Sequence, residues 1–267
     1  MSIPKIIHFC WFGNNEYPQL IKKCLQTWKD VLPDYKIVIW NENNFDINKY
    51  PFTLQAYQSK KWAFVSDFVR LYALLKFGGI YFDTDVEVLK SFTHLLENKS
   101  LVLGRVEGGI IGTSMIASEP NNAIIDKIFS YYNNNCFKNE DGTLNTIMNT
   151  LLFSKYLEKE LGCDVGYSTF VKDGTIIYPL DYFSPFKKNV FGNNNKKYRL
   201  SHYMITENTC CVHHDLGSWY SKSKFNLMVR ALARLILPSK FYLHLKLKKH
   251  IRTVENLGKN KNINIGN

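Results

Sequence analysis

Between Leu54 and Asp85 the chain reads LQAYQSKKWAFVSDFVRLYALLKFGGIYFDTD. The first part has helical spacing, with Ala63, Phe64, Leu71, Leu74 and Leu75 supplying apolar faces, and Gly78-Gly79 stops it. The spacing predicts one helix from Leu54 to the glycines. The run IYFD then returns as a strand. A helix that is apolar on most sides is buried, and a strand that follows it into the core needs cover. The N-terminus has the same grammar: KIIHFCWF reads as a strand ending at Gly13-Asn14-Asn15. PQLIKKCLQTWKDVLP carries Leu20, Ile21, Cys24, Leu25 and Trp28 at helical spacing, and YKIVIWNE is a second β-rich run. Strand, helix, strand is the opening of a parallel α/β unit.

In that frame Asp83 and Asp85 stand at the C-terminal end of a strand, the edge where open α/β sheets bind ligands. In an extended segment their side chains share a face. Two like charges there need a cation between them or water around them. A hard divalent ion is one answer; a solvated strand end or turn is the other, and the commoner one for so short a pattern. On the preceding helix Asp67 and Arg70 lie three apart and can pair. A salt bridge is the plain reading, yet a charged pair in an apolar helix needs partners or a task. Late in the chain VHHDLGSWY sets His213 and His214 before Asp215, Ser218 and Trp219. Adjacent histidines on an extended chain face opposite sides, so one of them at most joins a given metal site. Trp11, at the end of the first strand, is core by default or a stacking surface.

Further along, LVLGRVEGGIIGTSMIAS reads as strands turned at glycines. EPNNAIIDKIFSYY and TLNTIMNTLLFSKYLEKELG read as helices, TIIYPLDYFSPF as a late strand and turn, and FGNNNKKYRL as a polar loop. The 267 residues suit one large α/β domain with a small appendage, and 45% hydrophobic content argues against disorder. None of the six cysteines forms a C-x-x-C pair, so neither a zinc site nor a disulfide framework is indicated, and reduced thiols in a cytosolic protein fit. Pro4, Lys5 and His8 interrupt the N-terminal apolar run, so no signal peptide is read there, and no apolar stretch is long enough to span a bilayer.

The blocks IPKIIHFCWFG, SDFVRLYALLKFGGIYFDTDV and HHDLGSWY together resemble the DXD-containing family of retaining glycosyltransferases. That family includes bacterial capsule and O-antigen enzymes, yeast initiating mannosyltransferase relatives and mammalian α-galactosyltransferases; the glucosylating domains of clostridial toxins are a more distant likeness. The resemblance covers roughly residues 1–220. It implies a GT-A type fold: an α/β, Rossmann-like nucleotide-sugar-binding core with additional helices, to which the residues after 220 add a basic helical C-terminal tail. It implies a metal-dependent transfer of galactose, glucose or an N-acetylhexosamine from a UDP-sugar donor, with Mn²⁺ or Mg²⁺ as cofactor. Trp11 would stack on the uracil ring. Ser66, Asp67, Arg70 and Thr84 would line the donor, with Asp67 and Arg70 holding sugar hydroxyls. Asp83 would contact ribose and the metal's water shell, and Asp85 would ligate the metal. His214 would be the protein's metal ligand, with His213 the alternative, and Ser218 and Trp219 would close over the diphosphate. The acceptor implied is a lipid-linked or soluble oligosaccharide in bacterial capsule or O-antigen synthesis. A toxin-like transferase acting on a protein is the rival within enzymes.

The formal net charge of +11 favours anionic partners, which makes a nucleic-acid-binding protein the rival of another class. The basic residues instead concentrate in a tail, residues 221–267, and no nucleic-acid motif is present, so no nucleic-acid partner is expected. In that tail Lys and Arg alternate with Leu, Ile and Val, as in a helix lying on an anionic membrane surface or in a docked helix with a solvated basic face. The expected organisation is a catalytic domain over 1–220 and a basic segment over 221–267, placed in the cytoplasm at the inner face of the membrane.

Overall fold

The structure, a computed structural model, describes residues 2–187 and 200–216. Two compact units divide the chain, Met1–Leu216 and Gly217–Asn267. The second lies outside the described residues, together with Ser218, Trp219, the basic segment 221–267 and nearly all of the polar loop FGNNNKKYRL.

Strand β1 (Ile6–Cys10), helix α1 (Gln19–Val31) and strand β2 (Lys36–Trp40) form the expected opening, with β1 and β2 parallel and His8 opposite Val38. Helix α1 buries Ile21, Cys24 and Trp28, a face spaced three and four residues apart, and Trp28 Nε1 donates to Val86 O at 2.8 Å. The single helix expected from Leu54 is two helices: α2 (Pro51–Gln58) and α3 (Trp62–Phe77). Lys60 between them takes a left-handed φ of 54°, which an α-helix cannot pass through. The break seats Trp62 against Tyr57, with ring centroids 4.7 Å apart. Helix α3 is buried on several sides, as its composition demands.

Gly78 (φ 60°) and Gly79 (φ 96°) end α3 and launch β3 (Gly79–Phe82), which pairs in parallel with β1. The sheet continues with β5 (Leu101–Arg105), β6 (Ile111–Ser118), β7 (Phe170–Lys172) and β8 (Thr175–Tyr178), in spatial order β2-β1-β3-β6-β5-β8-β7. Beyond β3 the sheet is mixed: β6 runs antiparallel to both β3 and β5, while β5 and β8 are parallel. Helix α4 (Ala123–Asn133) is capped by Asn122, whose side chain accepts from Ile124 N and Ile125 N. Helix α5 (Asn149–Leu161) starts later than TLNTIM suggested; the segment before it instead forms a bridge between Lys138 and Leu144. Helix α6 (Leu180–Phe183) follows β8. A separate antiparallel ribbon joins β4 (Val86–Val88) to β9 (Cys211–His213). All six cysteines are free.

Candidate active site

Asp83 and Asp85 are not on an extended strand. Asp83-Thr84-Asp85 is a turn between β3 and β4, closed by Val86 N donating to Asp83 O at 3.0 Å. The turn and ligand readings of the motif are therefore compatible: the carboxylates converge by a bend, not by the alternation of a strand. Asp83 N also donates to Ser114 O at 2.8 Å, which fastens the turn to β6.

The ribbon supplies the third member. In its register His213 sits opposite Val86. Its Nε2 lies 3.2 Å from Asp85 Oδ1 and 3.9 Å from Asp83 Oδ2. One potential ligand atom from each of the three residues falls within 4.8 Å of the others. His213 Nδ1 meets Asp215 Oδ1 at 2.9 Å on the other side, and Lys187 Nζ reaches Asp215 Oδ2 at 2.8 Å. Leu216 N donates to Asp85 Oδ2 at 2.8 Å. Burial opposes charge on His213, but Asp85 and Asp215 outweigh it and hold the imidazole well above its ordinary pKa. Burial likewise opposes ionisation of Asp85, and His213 with the Leu216 N–H keeps that carboxyl below the usual range.

His214 does not join this cluster. It is buried on the opposite side of β9's end, where Nε2 lies 3.0 Å from Glu87 Oε2 and Nδ1 lies 3.1 Å from the Tyr203 hydroxyl. Glu87 is held there by Lys23 at 2.7 Å as well. Alternation along the chain end sends neighbouring histidines to opposite sides, and His213 is the one facing the carboxylates.

Arg70 links the turn to α3. Nη2 pairs with Asp67 Oδ1 at 3.0 Å and Asp83 Oδ1 at 3.2 Å, Nη1 donates to Thr113 O at 2.7 Å, and the guanidinium carbon lies 4.5 Å from the Tyr81 ring centroid. Burial alone would lower its pKa; Asp83, Tyr81 and Asp67 outweigh that and secure the charge. The Asp67–Arg70 pair is thus a helix salt bridge and also part of the Asp83 cluster. Asp67 is 1% exposed, and burial lifts its carboxyl to about 7. Asn149, fully buried at the start of α5, donates through Nδ2 to Asp67 O at 2.9 Å and Asp67 Oδ1 at 3.3 Å. Asp67 Oδ2 and Asn149 Oδ1 are buried without a hydrogen-bond partner. Two adjacent unsatisfied acceptors inside a protein are costly unless something donates to them.

Ser66, beside this pair, offers its backbone O to Arg70 Nε at 3.4 Å, close to the Cys10 thiol, which burial pushes up to about 12. Thr84 is the half-buried middle of the turn. Trp11, half-buried at the end of β1, donates Nε1 to Asn15 O at 2.7 Å and packs on Tyr17 with centroids 4.8 Å apart. Asn149 and Glu87 were not singled out from the sequence, and Asp215 was named there without a role. Asp215 was visible inside HHD; Asn149 lies in an ordinary helical run that gave no signal. The donor set of two carboxylates and one imidazole fits a divalent cation that accepts oxygen and nitrogen ligands.

Residues 18–102 match the family model described as "Glycosyltransferase sugar-binding region containing DXD motif". The chain is similar to inositol phosphoceramide mannosyltransferase 3 of Schizosaccharomyces pombe, 34% identical over 118 residues that make up 43% of this chain and 33% of that protein. It is also similar to the initiation-specific alpha-1,6-mannosyltransferase of Candida albicans, 29% identical over 38% of this chain and 29% of that protein. The aligned stretches span about a third of the length of these curated relatives. Among solved structures, the PaToxG glycosyltransferase covers 60% of this chain and 70% of its own, with a TM-score of 0.50 and 24% identity, a likeness of fold. The fold is accordingly of the GT-A type, mixed α/β around one central sheet.

Proposed function

We propose that this chain, whose residues 18–102 match the DXD-containing glycosyltransferase sugar-binding family, is a transferase that moves a hexosyl group from a nucleotide-sugar donor to a glycan. The observation that carries the reading is the convergence of Asp83, Asp85 and His213, with ligand atoms within 4.8 Å of one another, at the end of β3. A divalent cation held there, Mn²⁺ or Mg²⁺, would stabilise the negative charge that develops on a departing diphosphate. In this reading Asp85 and His213 bind the cation, and Asp83 shares it while staying fixed by Arg70 and by the Tyr81 hydroxyl at 3.0 Å. Arg70 adds a fixed positive charge beside the diphosphate. Asp67 Oδ2 and Asn149 Oδ1 lack donors but are buried, so a sugar hydroxyl would reach them only if donor binding opened the wall above them. Trp11 offers a ring to the base, with UDP as the nucleotide we assign. The sugar is galactose, glucose or an N-acetylhexosamine, and the names of the yeast relatives add mannose to the set to be tried.

The acceptor we assign is a lipid-linked oligosaccharide, as in capsule or O-antigen assembly. In support, relatives are named for transfer to inositol phosphoceramide, an acceptor carried on a lipid. The test is slow donor hydrolysis without acceptor, across UDP-linked sugars and nucleotide-linked mannose, with Mn²⁺ or with EDTA. One donor is expected to be cleaved with Mn²⁺. Cleavage should stop in EDTA, return on readdition, and fall at least about a hundredfold in Asp85→Asn, which removes a charged ligand and keeps the shape. Undiminished cleavage in EDTA would overturn the reading.

A further inference from the structure

We infer that Asp215 and Lys187 are positioning residues that present His213 Nε2 to the Asp83–Asp85 carboxylates, making His213 a nitrogen ligand rather than a freely turning ring. The inference rests on the cation reading above and extends it to residues outside the DXD turn.

A histidine can bind a metal through either ring nitrogen, and the hydrogen bond made by the other nitrogen decides which. In this chain that partner is Asp215, 2.9 Å from Nδ1, while Nε2 faces the carboxylates. A carboxylate behind an imidazole fixes both the ring orientation and the position of its proton. Asp215 is itself held on two sides. Its other oxygen receives Lys187 Nζ at 2.8 Å, and the same ammonium donates to His214 O at 3.1 Å, bracing the backbone next to it. The chain at Asp215 turns through a left-handed φ of 50°, which brings Leu216 N onto Asp85 Oδ2 at 2.8 Å. The result is a closed circuit: Asp85 to His213, His213 to Asp215, and Asp215 through the backbone of Leu216 back to Asp85.

A stabilising role explains this less well. The side chains of Asp215 and Lys187 are 57% and 41% exposed, and exposed ion pairs contribute little to folding. The same pair strongly constrains the ring it touches. Placing the carboxylate behind His213, and not on the neighbouring His214, also explains why adjacent histidines acquire different duties. Glu87 and Tyr203 take both nitrogens of His214.

The test measures Mn²⁺ binding to the full chain by electron paramagnetic resonance of the free ion, without donor. The set comprises the parent, Asp85→Asn, Asp215→Ala, Asp215→Asn and Lys187→Met. Nitrogen NMR of the labelled protein loaded with diamagnetic Zn²⁺ reports which His213 ring nitrogen carries the proton. The parent is expected to bind Mn²⁺ and Asp85→Asn to lose it. Asp215→Ala should weaken binding by about ten- to a hundredfold, Asp215→Asn less, and Lys187→Met by at least about threefold. The His213 proton should sit on Nδ1 in the parent and redistribute in Asp215→Ala. Thermal unfolding in EDTA checks each variant's fold. If Asp215→Ala does not fold, Asp215→Asn and Lys187→Met decide the question. Parent-like Mn²⁺ affinity and parent-like proton position in the folded variants would overturn the inference while leaving the cation reading intact. No Mn²⁺ binding by the parent would overturn both.

Discussion

At the scale of single residues, Asp67 has the sharpest consequence in solution. Its carboxyl is lifted by burial from 3.8 to about 7, with Arg70 pulling it down and Asp83 pushing it up. The unfolded chain ionises near 3.8 and the folded chain near 7. Between those values the folded state holds the extra proton, so the contribution of Asp67 to stability is full below pH 3.8 and is lost as pH rises towards 7. The loss approaches about 1.4 kcal/mol per pH unit within that window. Asp67→Asn cannot titrate. Its melting temperature relative to the parent should therefore climb from pH 4 to 7 and level off above. A constant difference over the whole range would mean that Asp67 is ionised throughout. The Asp67–Arg70 pair was legible because three residues on a helix are one face. Asn149 was not, because it meets Asp67 from 82 residues away and no local period announces such a contact.

At the scale of elements, the join between α3 and β3 leaves no room for a side chain. A Cβ on Gly79 would stand 2.5 Å from Ile6 O, a backbone atom of the neighbouring strand, on top of the positive φ. Gly142 has a φ of +79° and no atom within 4 Å of such a Cβ. Gly142→Ala should cost about 1–2 kcal/mol, the penalty of the left-handed backbone alone. Gly79→Ala should exceed it by on the order of 2 kcal/mol, since β1 has to move. Urea unfolding of both variants measures the difference; equal losses would leave only the backbone conformation at work. Gly78-Gly79 was legible as a stop and IYF as a strand because glycines and apolar runs are local signals. Helices α2 and α3 ran together in the sequence because no glycine or proline marks Lys60, whose left-handed turn is enforced by packing. The turn at the Asp pair was the commoner reading of so short a motif, and the structure has it; what the sequence did not mark is that the turn itself brings the carboxylates together. Of the two histidines, the sequence allowed one to face the carboxylates; only the pairing of β4 with β9 puts His213 there.

At the scale of the whole molecule, the charge of +11 is unevenly placed. Lys246, Lys248 and Lys249 belong to the segment 221–267, which we propose holds the enzyme on an anionic membrane beside its lipid-linked acceptor. Each such residue contributes about 1 kcal/mol near the surface. Changing these three to Glu should abolish sedimentation with phosphatidylserine vesicles and preserve donor hydrolysis, since none of the three is assigned to the donor or the cation. Vesicle binding equal to the parent would mean that the tail is not an anchor. Among the described residues no helix is long and apolar enough to cross a membrane. The ribbon of β4 and β9 has one more consequence. Asp85 and Leu216 are 131 residues apart along the chain yet directly bonded. Ribosomes add about 5–20 residues each second, N-terminus first, so a growing chain carries the DXD turn for roughly ten seconds before its histidine has been made. A chain abandoned in that interval has the carboxylates without their nitrogen partner. On the proposed cation reading, such a half-finished polypeptide would carry an incomplete ligand set, so the site would become competent only after β9 is made.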